Sequence, residues 1–381
     1  AGKTIEKKKM RVETRDEGRE HIRELWVDDE VVSFLTVIDH SIRIGSAAIR
    51  MGGIGGVETK KKHRKKGYMR MLMEDTVAYM KHEGYDVSML FGISNFYTKF
   101  GYAVCLPSHK CTLSTRDAEA AEKDAGEYTI RIIEQEDLDC VLALYNENNH
   151  GRTCSIIRRK EYFQKFRRGS RYGRPADHFL IEDDHKALLA YAVFDQSEQE
   201  VNVVEVESRD DRVFPALLYE FAKMAIKRRC GHLTLFMPPD HPFAEFAHRV
   251  GCECITRYSK DGEGMMRIID QASLFEKIQG ELGRRMADSK FEDYSGSLSI
   301  RTDLGNTTLE IHDGSPNMGS GQEPERFVDL PQAKLIQWIA GYRTVRDILS
   351  DPDVEASPSL GPLLANLFPE TVPYVWLADH F

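Results

Sequence analysis

The stretch GGIGGVETKKKHRKKGYMRMLMED, residues 52–75, decides how this chain is read. A glycine-rich apolar run leads into seven lysines and arginines within eleven positions, 60–70, after which apolar residues return at helical spacing. Cations at a helix start oppose the backbone dipole, which favours anions there. A multiply charged phosphate ligand between strand and helix resolves the conflict. Unpaired N–H groups at a helix start point at such a ligand, and Gly67 lets the backbone come close to it. Arg64, Lys65, Lys66 and Arg70 can add charge-assisted bonds. Taken alone, the charge also fits a solvated basic loop or a nucleic-acid patch.

Working outward, the order strand, polar loop, helix, glycine, strand, short helix and glycine occurs twice. Val57, Gly84 and Gly101 mark the first copy. Val206, Gly231 and Gly251 mark the second, within VVEVESRDDRVFPALLYEFAKMAIKRRCGHLTLFMPPDHPFAEFAHRVGC, residues 203–252. Met69, Leu72, Met73, Thr76 and Met80 form one helical face; Leu217, Leu218, Phe221, Met224 and Ala225 form the other. Strands are expected over 87–91 and 233–237. Alternating strands and helices predict two mixed α/β domains. Beyond Asp270 the pattern changes: alternating strands with Leu298, Ile300, Thr307, Leu309 and Ile311 flank a loop GSPNMGSGQEP, 314–324, and a helix is expected over 331–349. The expected division is 1–115, 116–269 and an α+β domain over 270–381.

The run Arg64-Lys65-Lys66-Gly67-Tyr68-Met69 resembles the pyrophosphate loop of the GNAT superfamily of acetyl-CoA-dependent N-acetyltransferases, with Met69 in place of the usual small residue. Phe96-Tyr97-Thr98-Lys99-Phe100-Gly101-Tyr102 is similar to the tyrosine-x-x-x-glycine-aromatic ending of that superfamily. Tandem GNAT-like units followed by a smaller domain further resemble the Eis (enhanced intracellular survival) acetyltransferases. The fold class implied is α/β and α+β: two tandem GNAT-like mixed-sheet domains, then a sterol-carrier-like α+β domain.

The resemblance implies acetyl-CoA as co-substrate and a primary amine as acceptor, drawn from small molecules or peptides. The backbone of Val57, Glu58 and Thr59 would pair with the pantetheine arm, and the loop from Arg64 through Met69 to Arg70, together with Gly92 and Ile93, would complete the cofactor site. Tyr97 takes the general-acid position, since a phenol near pKa 10 keeps its proton at neutral pH. A terminal carboxylate at Phe381 takes the base position, raised by burial from its usual value; Glu58 is the second candidate base. In the second copy Ala247 stands in Tyr97's place, and the loop Ser208-Arg209-Asp210-Asp211-Arg212 lacks glycine and adds two acids. That copy is therefore expected to be scaffold and pocket wall. His63 is expected to contact phosphate and His380 to neighbour the site, while Asp39 and Asp379 are candidates for an acidic acceptor pocket. The resemblance also implies a trimer or hexamer. GNAT domains usually place some sixty or more residues before the hairpin read here at 21–28 and 31–44, so acceptor identity transfers poorly.

The chain has 381 residues, 41% hydrophobic and 30% charged, and no run of apolar residues reaches membrane-spanning length. The charged start AGKTIEKKKMRVETRDEGRE lacks a secretory core, so a cytoplasmic protein is expected. A net charge of −9 disfavours general nucleic-acid binding and suits cationic ligands. The chemistry calls for no metal. Seven cysteines show no zinc or disulfide spacing, and the Cys252-Glu253-Cys254 doublet has no second doublet, so packed thiols are expected. An acyl-CoA or lipid sensor, or transfer of a longer acyl chain, are the alternatives.

Overall fold

The computed structural model describes residues 9–163, 165–319, 324 and 326–381. Residues 1–8 of the charged start and part of the loop 314–324 lie outside the described residues.

β1 (Met10–Glu17), β2 (Glu20–Val27), β3 (Glu30–Ile44) and β4 (Ala47–Thr59) form an antiparallel meander. β3 buries Val32, Leu35, Val37, Ile42 and Ile44. α1 (Tyr68–His82) crosses over to β5 (Val87–Gly92), which lies parallel to β4. On α1, Leu72, Met73, Thr76 and Met80 are buried, the face expected from their spacing. β6 (Ala103–Leu106), β7 (Ser108–Ser114), α2 (Thr115–Glu119), β8 (Thr129–Arg131) and α3 (Leu138–Asn148) follow. The repeat comes with β9 (Ala176–Glu182), β10 (Leu188–Asp195), β11 (Asn202–Ser208), α4 (Phe214–Lys227), β12 (His232–Leu235), α5 (Pro242–Val250) and β13 (Glu253–Arg257). The remainder is β14 (Glu263–Ile268), α6 (Gln271–Ala287), β15 (Gly296–Thr302), β16 (Gly305–His312), β17 (Ser315–Met318), β18 (Phe327–Asp329), α7 (Gln332–Ile339), α8 (Val345–Ile348), β19 (Glu355–Ala356) and α9 (Gly361–Leu367).

Three sheets result, ordered β1-β2-β3-β4-β5-β14-β6, β13-β7-β12-β11-β10-β9-β8 and β17-β16-β15-β18-β19. The first and third belong to one compact unit, 1–105, 259–371 and 381; the second, with the tail 372–380, forms another. Each seven-stranded sheet takes one strand from beyond the expected boundaries at 115 and 270: β14 sits between β5 and β6, and β7 between β12 and β13. Nothing in either segment's own residues states which sheet accepts it.

Two expectations are corrected. The helix expected over 331–349 is two helices, because the chain turns left-handed at Gly341 (φ 71°) and restarts where Thr344 caps α8 by accepting from Asp347 N. Cys111 and Cys254, expected as packed thiols, are joined as a disulfide, 143 residues apart in sequence. They are direct partners across β7 and β13, with Cα atoms 4.1 Å apart, a proximity that no sequence spacing encodes.

Candidate active site

The site begins where two parallel strands part. β4 pairs with β5 from Met51 opposite Val87 to Ile54 opposite Leu90, and there the pairing ends. A register shift between Phe34 and Thr36 bulges β4 around Gly56, and bulges bend and twist a strand. Beyond the bulge β4 stays with β3, Glu58 facing Phe34 and Thr59 facing Ser33, while Phe91 and Gly92 pair instead with β14. Ser33 Oγ donates to the Glu58 carbonyl at 3.0 Å, and Lys60 N donates to Val32 O at 3.1 Å. Backbone groups alternate along a strand, so Glu58 and Lys60 turn towards β3 and Val57 and Thr59 turn towards the gap. Of the three residues expected to meet pantetheine, two present their backbone there. The Glu58 side chain is exposed.

The basic loop closes the end of this gap. Glu30 gathers one part of it, with Lys62 Nζ at 2.7 Å, His63 Nε2 at 3.1 Å and Lys60 Nζ at 3.6 Å. The bond from Lys62 is the main reason that the Glu30 carboxyl is held down to about 2. Arg64 Nε donates to the Thr59 carbonyl at 3.1 Å, tying loop to strand. Gly67, at φ 82°, is the N-cap of α1 and no side chain caps the helix start. Lys65, Lys66 and Arg70 are exposed around it and make no ion pair among the described residues. The loop thus has a half neutralised by Glu30 and a half that surrounds open helical N–H groups. His63 sits on Glu30.

Tyr97 opens a short helical turn, Tyr97–Phe100, closed by Gly101 at φ 77°. Its ring lies on Gly92, where an added Cβ would press into ring carbons, and Phe96 meets it edge-on at 4.9 Å. Burial holds the Tyr97 phenol above its usual pKa, so it carries its proton at neutral pH. Phe381 packs on Gly53: a Cβ there would fall 2.7 Å from its ring, and one on Gly55 would fall 3.4 Å from its backbone carbonyl carbon. His40 stacks on the Phe381 ring at 5.3 Å and Phe91 meets it at 5.5 Å. Burial, then Arg19, brings the His40 imidazole down to about 3, leaving it neutral. By register, Met51, Gly53, Gly55, His40 and Phe91 share one face of the sheet, and Gly52, Ile54, Leu90 and Gly92 share the other. Phe381 and Tyr97 therefore flank the opening between β4 and β5 from opposite faces.

Residues 4–105 match the acetyltransferase (GNAT) domain family. Over that stretch the chain is similar to a GNAT acetyltransferase domain. Domains of this kind use acetyl-CoA as co-substrate and amines as acceptors. No curated protein matches the chain in sequence. Among solved structures it is similar to a probable N-acyltransferase from Enterococcus faecalis, at a TM-score of 0.76 and 15% identity, covering 95% of this chain and 90% of that one. It is similar to a GCN5-related N-acetyltransferase from Kribbella flavida at a TM-score of 0.73 and 17% identity, covering 94% of this chain and 87% of that one. Eis1 from Mycobacterium abscessus follows at a TM-score of 0.65 and 14% identity, covering 94% and 90%. Likeness at these identities concerns the fold.

Outside the acetyltransferase domain, the repeat has the same strand pair but different contents. β11 and β12 pair at Asn202 with Thr234 and Val203 with Leu235. The tail 372–380 packs against both: the Tyr374 hydroxyl donates to Phe236 O at 3.0 Å, and the turn Leu377–Asp379 lies on β11. Trp376 is fully buried and donates from Nε1 to Asn149 Oδ1 at 2.9 Å. In the loop of this copy Asp210 binds Arg212, and Ala247 is buried in α5. Asp379 pairs with Arg158 at 2.9 Å and Asp39 with Arg50 at 2.8 Å, so both acids proposed for an acceptor pocket are already held by arginines. His380 Nε2 lies 3.3 Å from Val375 O, and burial brings its imidazole to about 3. Ile93 is 71% exposed beside the gap. Sequence reasoning missed His40 and Phe91. The glycines facing them at Gly53 and Gly55 were the available signal, since a glycine inside a strand often marks a close approach.

No helix among the described residues is long and apolar enough to cross a membrane.

Proposed function

We propose that the first GNAT-like unit transfers acetyl from acetyl-CoA to a primary amine by direct attack in a ternary complex. The parting of β4 from β5 at Ile54 and Leu90 carries this reading, because it turns the Val57 backbone to the gap beside an uncapped helix start ringed by cations that make no ion pair among the described residues. Pantetheine would pair with Val57 and Thr59 as an added strand, displacing Arg64 from the Thr59 carbonyl, and the diphosphate would lie on the amides around Gly67 with Lys65, Lys66 and Arg70.

A carboxylate at Phe381 would take the proton from the attacking ammonium, with Glu58 as the second candidate. The amine nitrogen then bonds to the thioester carbon, and strand amides at the gap steady the oxyanion. The carbon–sulfur bond breaks, the departing thiolate takes the phenolic proton of Tyr97, and the extra proton on the amide nitrogen leaves through water to restore the phenol. Placement on opposite faces of the sheet keeps acid and base from neutralising each other. The second copy would be a degenerate, non-binding relative, its strand pair occupied by the tail. The third sheet, with α6, α7 and α9, suits the sterol-carrier-like domain implied by the resemblance to Eis.

Thiol release from acetyl-CoA across a panel of primary amines tests the reading. Tyr97→Phe should lower kcat by about 10²–10⁴-fold and leave acetyl-CoA affinity within a factor of a few. Tight binding with no thiol release on any amine would overturn it.

A further inference from the structure

Cys111 on β7, Cys252 and Cys254 at the start of β13, and His248 in the last turn of α5 converge in the second unit. Their donor atoms all lie within 4.8 Å of one another, with Cys252 Sγ 3.4 Å from Cys254 Sγ. Among the described residues no other group of His, Cys, Asp and Glu side chains gathers in this way. The chain reverses at Gly251 (φ 108°) between helix and strand, which returns Cys252 and Cys254 to His248, while strand pairing brings Cys111 opposite Cys254. A disulfide employs two of the four groups and gives no reason for a third thiol and an imidazole to meet it.

We propose that Cys111, Cys252, Cys254 and His248 form a structural zinc site when the Cys111–Cys254 pair is reduced. Three sulfurs and one imidazole nitrogen are a closed tetrahedral donor set for Zn²⁺, with zinc–sulfur bonds of about 2.3 Å and donor separations of roughly 3.8 Å. The present donor atoms, all within 4.8 Å of one another, would have to draw in by about 1 Å at the widest, and reduction would let the Cys111 and Cys254 sulfurs part to that distance. The disulfide and the metal exclude each other, since a disulfide sulfur is no thiolate. A dithiol opens the bond by passing two electrons and two protons to the cysteine pair and closing into its own disulfide; the three thiols then release protons as zinc binds. Zinc would fix β13, an edge strand whose five residues are exposed, to β7 and the end of α5. The site stands on the second unit and is independent of the acetyl-transfer reading.

The test uses the full chain kept under a phosphine reductant, loaded with zinc and dialysed. Metal analysis should find about one zinc per chain, and Co²⁺ in its place should show intense tetrahedral ligand-field bands with thiolate charge transfer. Cys252→Ser should lose the metal while still forming the Cys111–Cys254 disulfide on oxidation, and His248→Ala should weaken retention. Reduced wild-type protein that emerges metal-free, with Co²⁺ giving only the pale spectrum of the hydrated ion, overturns the proposal whether or not the variants fold.

Discussion

Gly53 carries a hydrogen where any other residue would press a carbon into the Phe381 ring. Its backbone is ordinary strand, so Gly53→Ala disturbs the Phe381 ring more than the sheet. Displacements of about 1 Å near reacting groups cost about 10²-fold in rate. Gly53→Ala should therefore lower kcat by ten- to a hundredfold or so, with acetyl-CoA affinity and melting temperature nearly unchanged; steady-state kinetics beside calorimetry would show it. Glu207 makes a different test. Burial, then the neighbouring Glu205, pushes its carboxyl up to about 8 from a reference of 4.5, although Asn148 and Asn149 both donate to it. The folded chain then binds more protons than the unfolded chain between those values. Its contribution to stability is complete below the lower one and is lost as pH rises through the upper. From about pH 5 to about pH 8 the melting temperature of the wild type should fall by several degrees more than that of Glu207→Gln.

The helix start and its loop act as one element. Its lysines look alike in sequence and differ in company: Lys62 is held by Glu30, whereas Lys65 and Lys66, around Gly67, make no ion pair among the described residues. Replacing both Lys65 and Lys66 with alanine should weaken acetyl-CoA binding by about tenfold or more and flatten its salt dependence, with little change in kcat. Lys62→Ala should do much less. Calorimetry at two salt concentrations separates them, and equal losses would mean that the loop is a diffuse positive surface. How the charge is divided was not legible in the run KKKHRKK, because Glu30 lies on a different strand and reaches the loop through sheet pairing. The bulge at Gly56, by contrast, was signalled by the glycines of GGIGG before the basic run.

For the whole molecule, the two copies of one strand–helix–strand pattern come to different ends. The first leaves its strand pair open; the second has the tail, with Trp376 and Tyr374, against its strands. Calorimetric titration with acetyl-CoA should give about one site per chain, removed by the paired lysine substitutions above. Two sites, or one that survives those substitutions, would reassign cofactor binding.

The repeat, the helix faces and the phosphate-loop pattern were determined by sequence alone, because periodic burial and left-handed turns write themselves into residue type at short range. Three features were decided by tertiary structure: the exchange of β7 and β14 between sheets, the meeting of Cys111 with His248, Cys252 and Cys254, and the bed of Gly53, His40 and Phe91 beneath Phe381. Each joins residues more than a hundred positions apart or selects one of several equally apolar strand edges. Local chemistry is the same for every such choice, and packing selects among them.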